Sequence, residues 1–220
     1  MRARKKPLIA AAIVILLVAL AAAAWFVPVF KVGGFKVEGQ VNTAVEDIEA
    51  ATGVAVGDNL LRVNAQSAAR GVSALPWVES VSVSKSYPST LHVEVHERTA
   101  AMYAKRSDGS HLIDSTGQAF LIADPPAGTP EVTGQNDDNQ EVFAAVASAL
   151  GALDDATRAQ VTAVQAPSQY EITLQIGPDK KVYWGSVDNA ADKAVATKVA
   201  LTRPEASLDV SGAPTIAIKR

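Results

Sequence analysis

The 220-residue chain carries 20 Lys and Arg against 23 Asp and Glu, a formal net charge of −3, and it has no cysteine. Disulfide frameworks, thiolate zinc sites and thiol catalysis are therefore excluded. Arg2, Arg4, Lys5 and Lys6 stand in the first six positions with no acid among them, so removing those four charges leaves −7 on the remainder, an acidic body that disfavours nucleic-acid binding.

Residues 7–30, PLIAAAIVILLVALAAAAWFVPVF, contain no charge and account for much of a mean hydropathy of +0.12. As a helix this stretch would be roughly 36 Å long, against a hydrocarbon core of about 30 Å. The basic residues before it and Trp25 and Phe26 near its far end predict a single span with the first six residues in the cytoplasm and the body outside. A cleaved signal peptide is the rival reading, because Ala22, Ala23 and Ala24 offer a cleavage site. The apolar run is longer than the usual ~7–15 residues of such a peptide and continues past that site, which favours the uncleaved anchor. Either reading exports the body.

Gly33 and Gly34 open that body. Phe35, Lys36, Val37 and Glu38 alternate like a strand with one buried face. Thr43 and Glu46 have capping-box spacing before a helix to about Ala51, stopped by Thr52 and Gly53. Asn64 is the predicted N-cap of a second helix through about Leu75, weakened by Gly71 and ended by Pro76. Val78, Val81 and Val83 break strict period two, which predicts a bulge near Glu79 and Ser80. Leu91, Val93 and Val95 alternate cleanly with His92, Glu94 and His96, and residues 87–90 make the two strands a hairpin. Strand, helix, helix, strand, strand is a small α+β domain.

From Ala100 a β-rich domain with two helices is expected. Ser107, Asp108 and Gly109 join two strands, and residues 114–117 make a second turn before a strand at 119–122. Residues 123–139 read as a long loop with an ordered contact near Pro130, Glu131 and Val132. A helix is predicted over 141–150 and closed by Gly151. Strands follow at 161–165, 170–176 and 181–184, then a helix over 190–201 capped by Asp188 or Asn189, and short strands at 207–210 and 215–218.

Chemistry is sparse. His92 and His96 lie four apart on a strand, about 13 Å from each other, and cannot share an ion. Ser110, His111 and Asp114 supply a triad's residue types, but adjacent strand residues point to opposite faces. Asp137, Asp138 and Asn139 sit in a loop without the remaining spacing of a calcium site, and Asp154 and Asp155 are read as turn caps. No nucleophile elbow, phosphate loop or dinucleotide fingerprint occurs. No catalytic, metal or cofactor site is expected.

The run Leu75, Pro76, Trp77, Val78, Glu79, then Lys85, Ser86, Tyr87, Pro88, Ser89, Thr90, Leu91, then Val93, Glu94, Val95, Glu97 and Arg98 resembles the POTRA domain of the FtsQ/DivIB family of bacterial cell-division proteins. Phe35 to Gly39 is similar to that domain's opening strand. Residues 113–120, IDSTGQAF, are similar to the start of the family's β domain, and the likeness continues through Pro130 to Gly134, Tyr183, Trp184, Gly185, Lys193, Leu208, Asp209 and Val210. Tyr87 stands where the family usually has Trp, and Ala100 where a Pro commonly follows Glu-Arg. The resemblance implies a cytoplasmic tail (1–6), a transmembrane helix (7–30), a POTRA domain (33–99) and a β domain (100–220).

It further implies a non-enzymatic divisome scaffold, single-pass in the cell membrane at the septum. Its partners would be FtsB/DivIC-type and FtsL-type single-span proteins, and through them FtsW and the septal transpeptidase. Terminal short strands leave a sheet edge to which an extended partner can add. The family's partner edge maps onto Leu208, Asp209, Val210 and Ser211, and more loosely onto Tyr183 and Trp184. Leu208, Val210, Trp184, Trp77, Phe35 and Phe120 also carry a core reading. The alternatives are an exported ligand-binding protein or enzyme using Asp137 and Asp138, or a POTRA chaperone of another membrane-assembly system.

Overall fold

A computed structural model of the chain describes residues 11–19, 30–135 and 137–219. Of the uncharged stretch, residues 11–19 are helical and exposed. Most of the predicted span lies outside the described residues, and among those described no helix is long and apolar enough to cross a membrane. The chain divides into two units, residues 1–98 and 99–220.

In the first unit, β1 (Gly34–Glu38) is followed by α1 (Val45–Ala51), α2 (Ala65–Val72), β2 (Val78–Ser86) and β3 (Thr90–Glu97). β3 sits between a parallel β1 and an antiparallel β2. Period two puts Leu91, Val93 and Val95 into the core, where the latter two meet Ile48, Val72 and Val78. The predicted bulge is present, with the register shifting between Val78 and Ser80. Asn64 caps α2 by accepting from the Ser67 N–H. Gly71 is demanded by packing, because a Cβ there would lie 2.0 Å from the Ala51 carbonyl oxygen of α1.

The expected capping box on α1 does not form. Its N-cap is Ala44, with no side-chain cap bond. Glu97 at the end of β3 accepts instead, from the N–H groups of Asn42 and Thr43 at 2.8 Å and from Asn42 Nδ2 at 2.9 Å. A tertiary carboxylate has taken the Thr43 N–H that Glu46 was expected to satisfy, and the Asn42 donors besides.

The second unit contains β4 (Met102–Arg106), β5 (Gly109–Ile113), β6 (Ala119–Ile122), β7 (Glu131–Thr133), α3 (Gln140–Ala152), α4 (Asp155–Arg158), β8 (Val161–Gln165), β9 (Ile172–Ile176), β10 (Lys180–Gly185), α5 (Ala190–Leu201), β11 (Ser207–Asp209) and β12 (Ala217–Ile218). The strands form one sheet in the order β12-β11-β10-β9-β8-β7-β4-β5-β6. The predicted hairpin pairs Arg106 with Gly109. The ordered contact expected near Val132 is β7 itself, which bridges β4 and β8 by parallel pairing. Asp154 caps α4 by accepting from the Thr157 N–H. Several boundaries move: α2 ends at Val72 rather than near Leu75, α3 runs through Gly151, the strand expected from Tyr170 starts at Ile172, the last strand is only Ala217–Ile218, and α4 is a third helix where two were expected in this unit. Phe143, Ile172, Leu174, Val182 and Trp184 are buried together in the core.

Candidate functional site

The C-terminal end of the second sheet carries every residue singled out for partner binding, and strand alternation sorts them by face. β10 and β11 run parallel, with Val182 opposite Leu208 and Tyr183 opposite Asp209. Trp184, Leu208 and Val210 are each 0 % exposed and belong to the hydrophobic core. Their side chains are packing residues. Tyr183 and Asp209 share the opposite face and are half-buried, while Ser211 is exposed. The Ser211 N–H donates to Asp209 Oδ1 at 2.8 Å.

The edge also differs from expectation. β11 is an interior strand, covered on its outer side by β12 through Leu208–Ile218 and Asp209–Ala217 pairs. The free edge is therefore β12, not Leu208 to Ser211. The Lys219 N–H donates to the Ser207 carbonyl at 3.2 Å, so residues 217 and 219 turn their backbone groups toward β11. Alternation then turns the N–H and C=O of Ile218 outward. Ala217 and Ile218 are both exposed. Lys219 lays its Nζ 3.0 Å from the centroid of the Tyr183 ring, a cation–π contact reaching across the intervening strand β11.

α5 lies against β10 and buries Lys193, Ala196, Thr197 and Ala200. Lys193 is 2 % exposed and donates from Nζ to the Ser186 carbonyl at 2.9 Å. Burial pushes its ammonium below the usual lysine range, against the opposing pull of Asp188 and Asp209. At the other end, Lys180 Nζ donates to the Ala200, Leu201 and Arg203 carbonyls and caps the helix. The outer face of α5 exposes Val195 and Val199 one turn apart. Those two, with Ile218 and Lys219, were not anticipated as site residues. The signal was available: AADKAVATKVAL has no polar stripe, so its apolar residues cannot all face one core.

The other chemistry-bearing residues have structural occupations. His92 is half-buried with Nε2 2.7 Å from Glu38 Oε2, and His96 is exposed. His111 does not meet Asp114; its ring nitrogens face Asp138 Oδ2 at 2.5 Å and Asp108 Oδ1 at 3.0 Å. Those carboxylates, Asp138 first, hold the imidazole above its usual range despite partial burial. Asp138 also pairs with Arg106 at 3.2 Å, and Arg106 donates to the Asp137 carbonyl at 2.7 Å. The loop carboxylate proposed as a ligand is thus committed to protein cations. Asp114 accepts from Thr116 and Gln118 in its turn. No group of three His, Asp or Glu among the described residues is placed to hold a metal ion.

Two family models match the chain: "POTRA domain, FtsQ-type" over residues 30–98 and "Cell division protein FtsQ/DivIB, C-terminal" over residues 101–207. The second match stops one residue before Leu208. Among relatives, the Cell division protein FtsQ of Corynebacterium glutamicum is 39 % identical over 211 residues, covering 94 % of this chain and 95 % of that one. The Cell division protein FtsQ of Mycolicibacterium smegmatis is 32 % identical over 203 residues, 92 % of this chain and 61 % of that longer one. The Cell division protein DivIB of Clostridium botulinum is 29 % identical over 91 residues, 41 % of this chain and 36 % of its own.

Proposed function

Because the chain belongs to the FtsQ/DivIB family of cell-division proteins, we propose that it acts as a membrane-anchored, non-enzymatic scaffold of the division machinery, capturing an extended partner segment on β12. Residues 7–30 cross the cell membrane once, with the N-terminus in the cytoplasm and both folded units outside at the septum. The partners are FtsB/DivIC-type and FtsL-type single-span proteins, through which the scaffold supports septal peptidoglycan synthesis by FtsW and its transpeptidase.

The observation that carries this reading is the free edge at Ala217 and Ile218, two strands out from α5 with its exposed Val195 and Val199. An added strand would take main-chain hydrogen bonds from Ile218, and a helical portion of the same partner would cover the valines. Tyr183, Asp209 and Ser211 lie on or beside the open face and supply side-chain specificity. Trp184, Leu208 and Val210 support the edge from beneath. A fluorescent fusion of the full chain in its host tests the role: bands at midcell together with co-purification of an FtsB-like protein are expected. Uniform membrane fluorescence with no such partner would refute it.

A further inference from the structure

The stretch that follows the uncharged run has no slack. Phe30 accepts from the Leu60 N–H at 2.8 Å, the Val32 N–H donates to the Asp58 carbonyl at 2.8 Å, and the Gly57 N–H returns to the Val32 carbonyl at 2.7 Å. The Gly33 N–H donates to the Ser89 carbonyl at 2.7 Å. Lys31 bridges to Asn59, and Lys85 Nζ donates to the Leu61 carbonyl at 2.9 Å. Val32, Leu60 and Leu91 close a small core of their own. Residues 57–60 and Ser89 are thereby tied to residues 30–33, directly after the uncharged run, and Lys85 ties β2 to the same loop through Leu61. All lie at one end of the sheet, where Gly34, Thr90 and Ser86 are in register.

That end exposes apolar and aromatic groups that the unit's core does not need. Tyr87 is 55 % exposed with its ring edge-on to Phe30 at 5.6 Å, and Val56 is 66 % exposed. Lys31 and Arg62 are exposed beside them and Lys85 half-exposed, with Asp58 as the acid of the group. Interfacial bilayer regions favour amphipathic aromatics, and anionic headgroups favour Lys and Arg.

We infer that this end of the first unit, led by Tyr87 and Val56, rests in the headgroup layer of the membrane, so that the unit is docked on the lipid surface rather than suspended above it. The inference rests on the anchored reading above: if residues 7–30 span the bilayer, Phe30 is at interfacial depth and its hydrogen-bonded neighbours share that depth. Continuity of the chain and the sign of the charge both name lipid as the occupant.

The absence of native cysteine permits single-site labels on the full chain. Val56→Cys, Tyr87→Cys and Val41→Cys each carry a bimane, in vesicles of phosphatidylcholine and phosphatidylglycerol bearing headgroup nitroxides. Val41 is the control: it is 86 % exposed, and Asn42 beside it bonds Glu97, placing it at the far end of β3, roughly 23 Å away. Loss of fluorescence at 56 and 87 with none at 41 is expected. Quenching no greater at 56 and 87 than at 41, in chain that resists alkaline extraction, overturns the docking but leaves the anchor standing. Release of the chain by alkali overturns both.

Discussion

Glu97 shows how one side chain joins distant parts of the first unit. Burial alone would raise its carboxyl, yet the hydrogen bonds donated by Asn42 and Thr43 outweigh that cost and bring the pKa to about 2. A carboxylate depressed on folding stabilises above its unfolded value near 4.5 and loses that contribution as pH falls toward 2. Glu97→Gln is therefore expected to cost about 1 kcal/mol at neutral pH, a low figure because solvent reaches the pair, and to cost progressively less below pH 4.5. Denaturant titrations of both proteins at several pH values check this; a constant difference would contradict it. Little of the arrangement was legible beforehand, because Thr43 and Glu46 offered a local cap and nothing in a sequence shows that residue 97 returns to residue 42. The same limit applies at Tyr183 and Trp184. Alternation shows that they face opposite ways, but only the parallel register with Leu208 and Asp209 says which faces in.

At the scale of elements, helices and hairpins were read where the pattern is local: the β2–β3 hairpin with its bulge, the β4–β5 turn, and Asn64 as a cap. Parallel pairings escaped, since β1–β3, β7–β8 and β10–β11 join strands far apart in sequence. The site suffered most from this. The family resemblance puts the edge at residues 208–211 although a strand at 215–218 is also expected, and only the Leu208–Ile218 and Asp209–Ala217 pairs show that this last strand covers β11. Gly71 illustrates the converse, a residue read as a helix defect that is a packing requirement. Gly71→Ala would ordinarily strengthen a helix by about 1 kcal/mol. Here the added Cβ meets the Ala51 backbone, so a loss of about 1–3 kcal/mol is expected in thermal or chemical denaturation. A stabilised protein would show that α1 and α2 do not cross this closely.

For the whole molecule, the two units carry the family's POTRA and C-terminal domains, and the proposed anchor is the uncharged run of residues 7–30 behind four basic residues. Among the described residues no group of three His, Asp or Glu is placed to hold a metal ion, and the loop carboxylate of Asp138 is held by His111 and Arg106. The second unit does offer a short, exposed edge strand, to which a division partner is proposed to add through backbone hydrogen bonds. Proline at Val210 would be a poor probe, because that N–H donates to the Tyr183 carbonyl inside the sheet. Ile218 is the position whose N–H turns outward. The decisive measurement is co-purification of the FtsB/DivIC-type partner with full-length Ile218→Pro and Ile218→Ala proteins, each checked for folding by circular dichroism. Strand addition predicts that the proline variant loses the partner while the alanine variant, which keeps the N–H, retains most of it. Equal retention by both variants would contradict strand addition at β12.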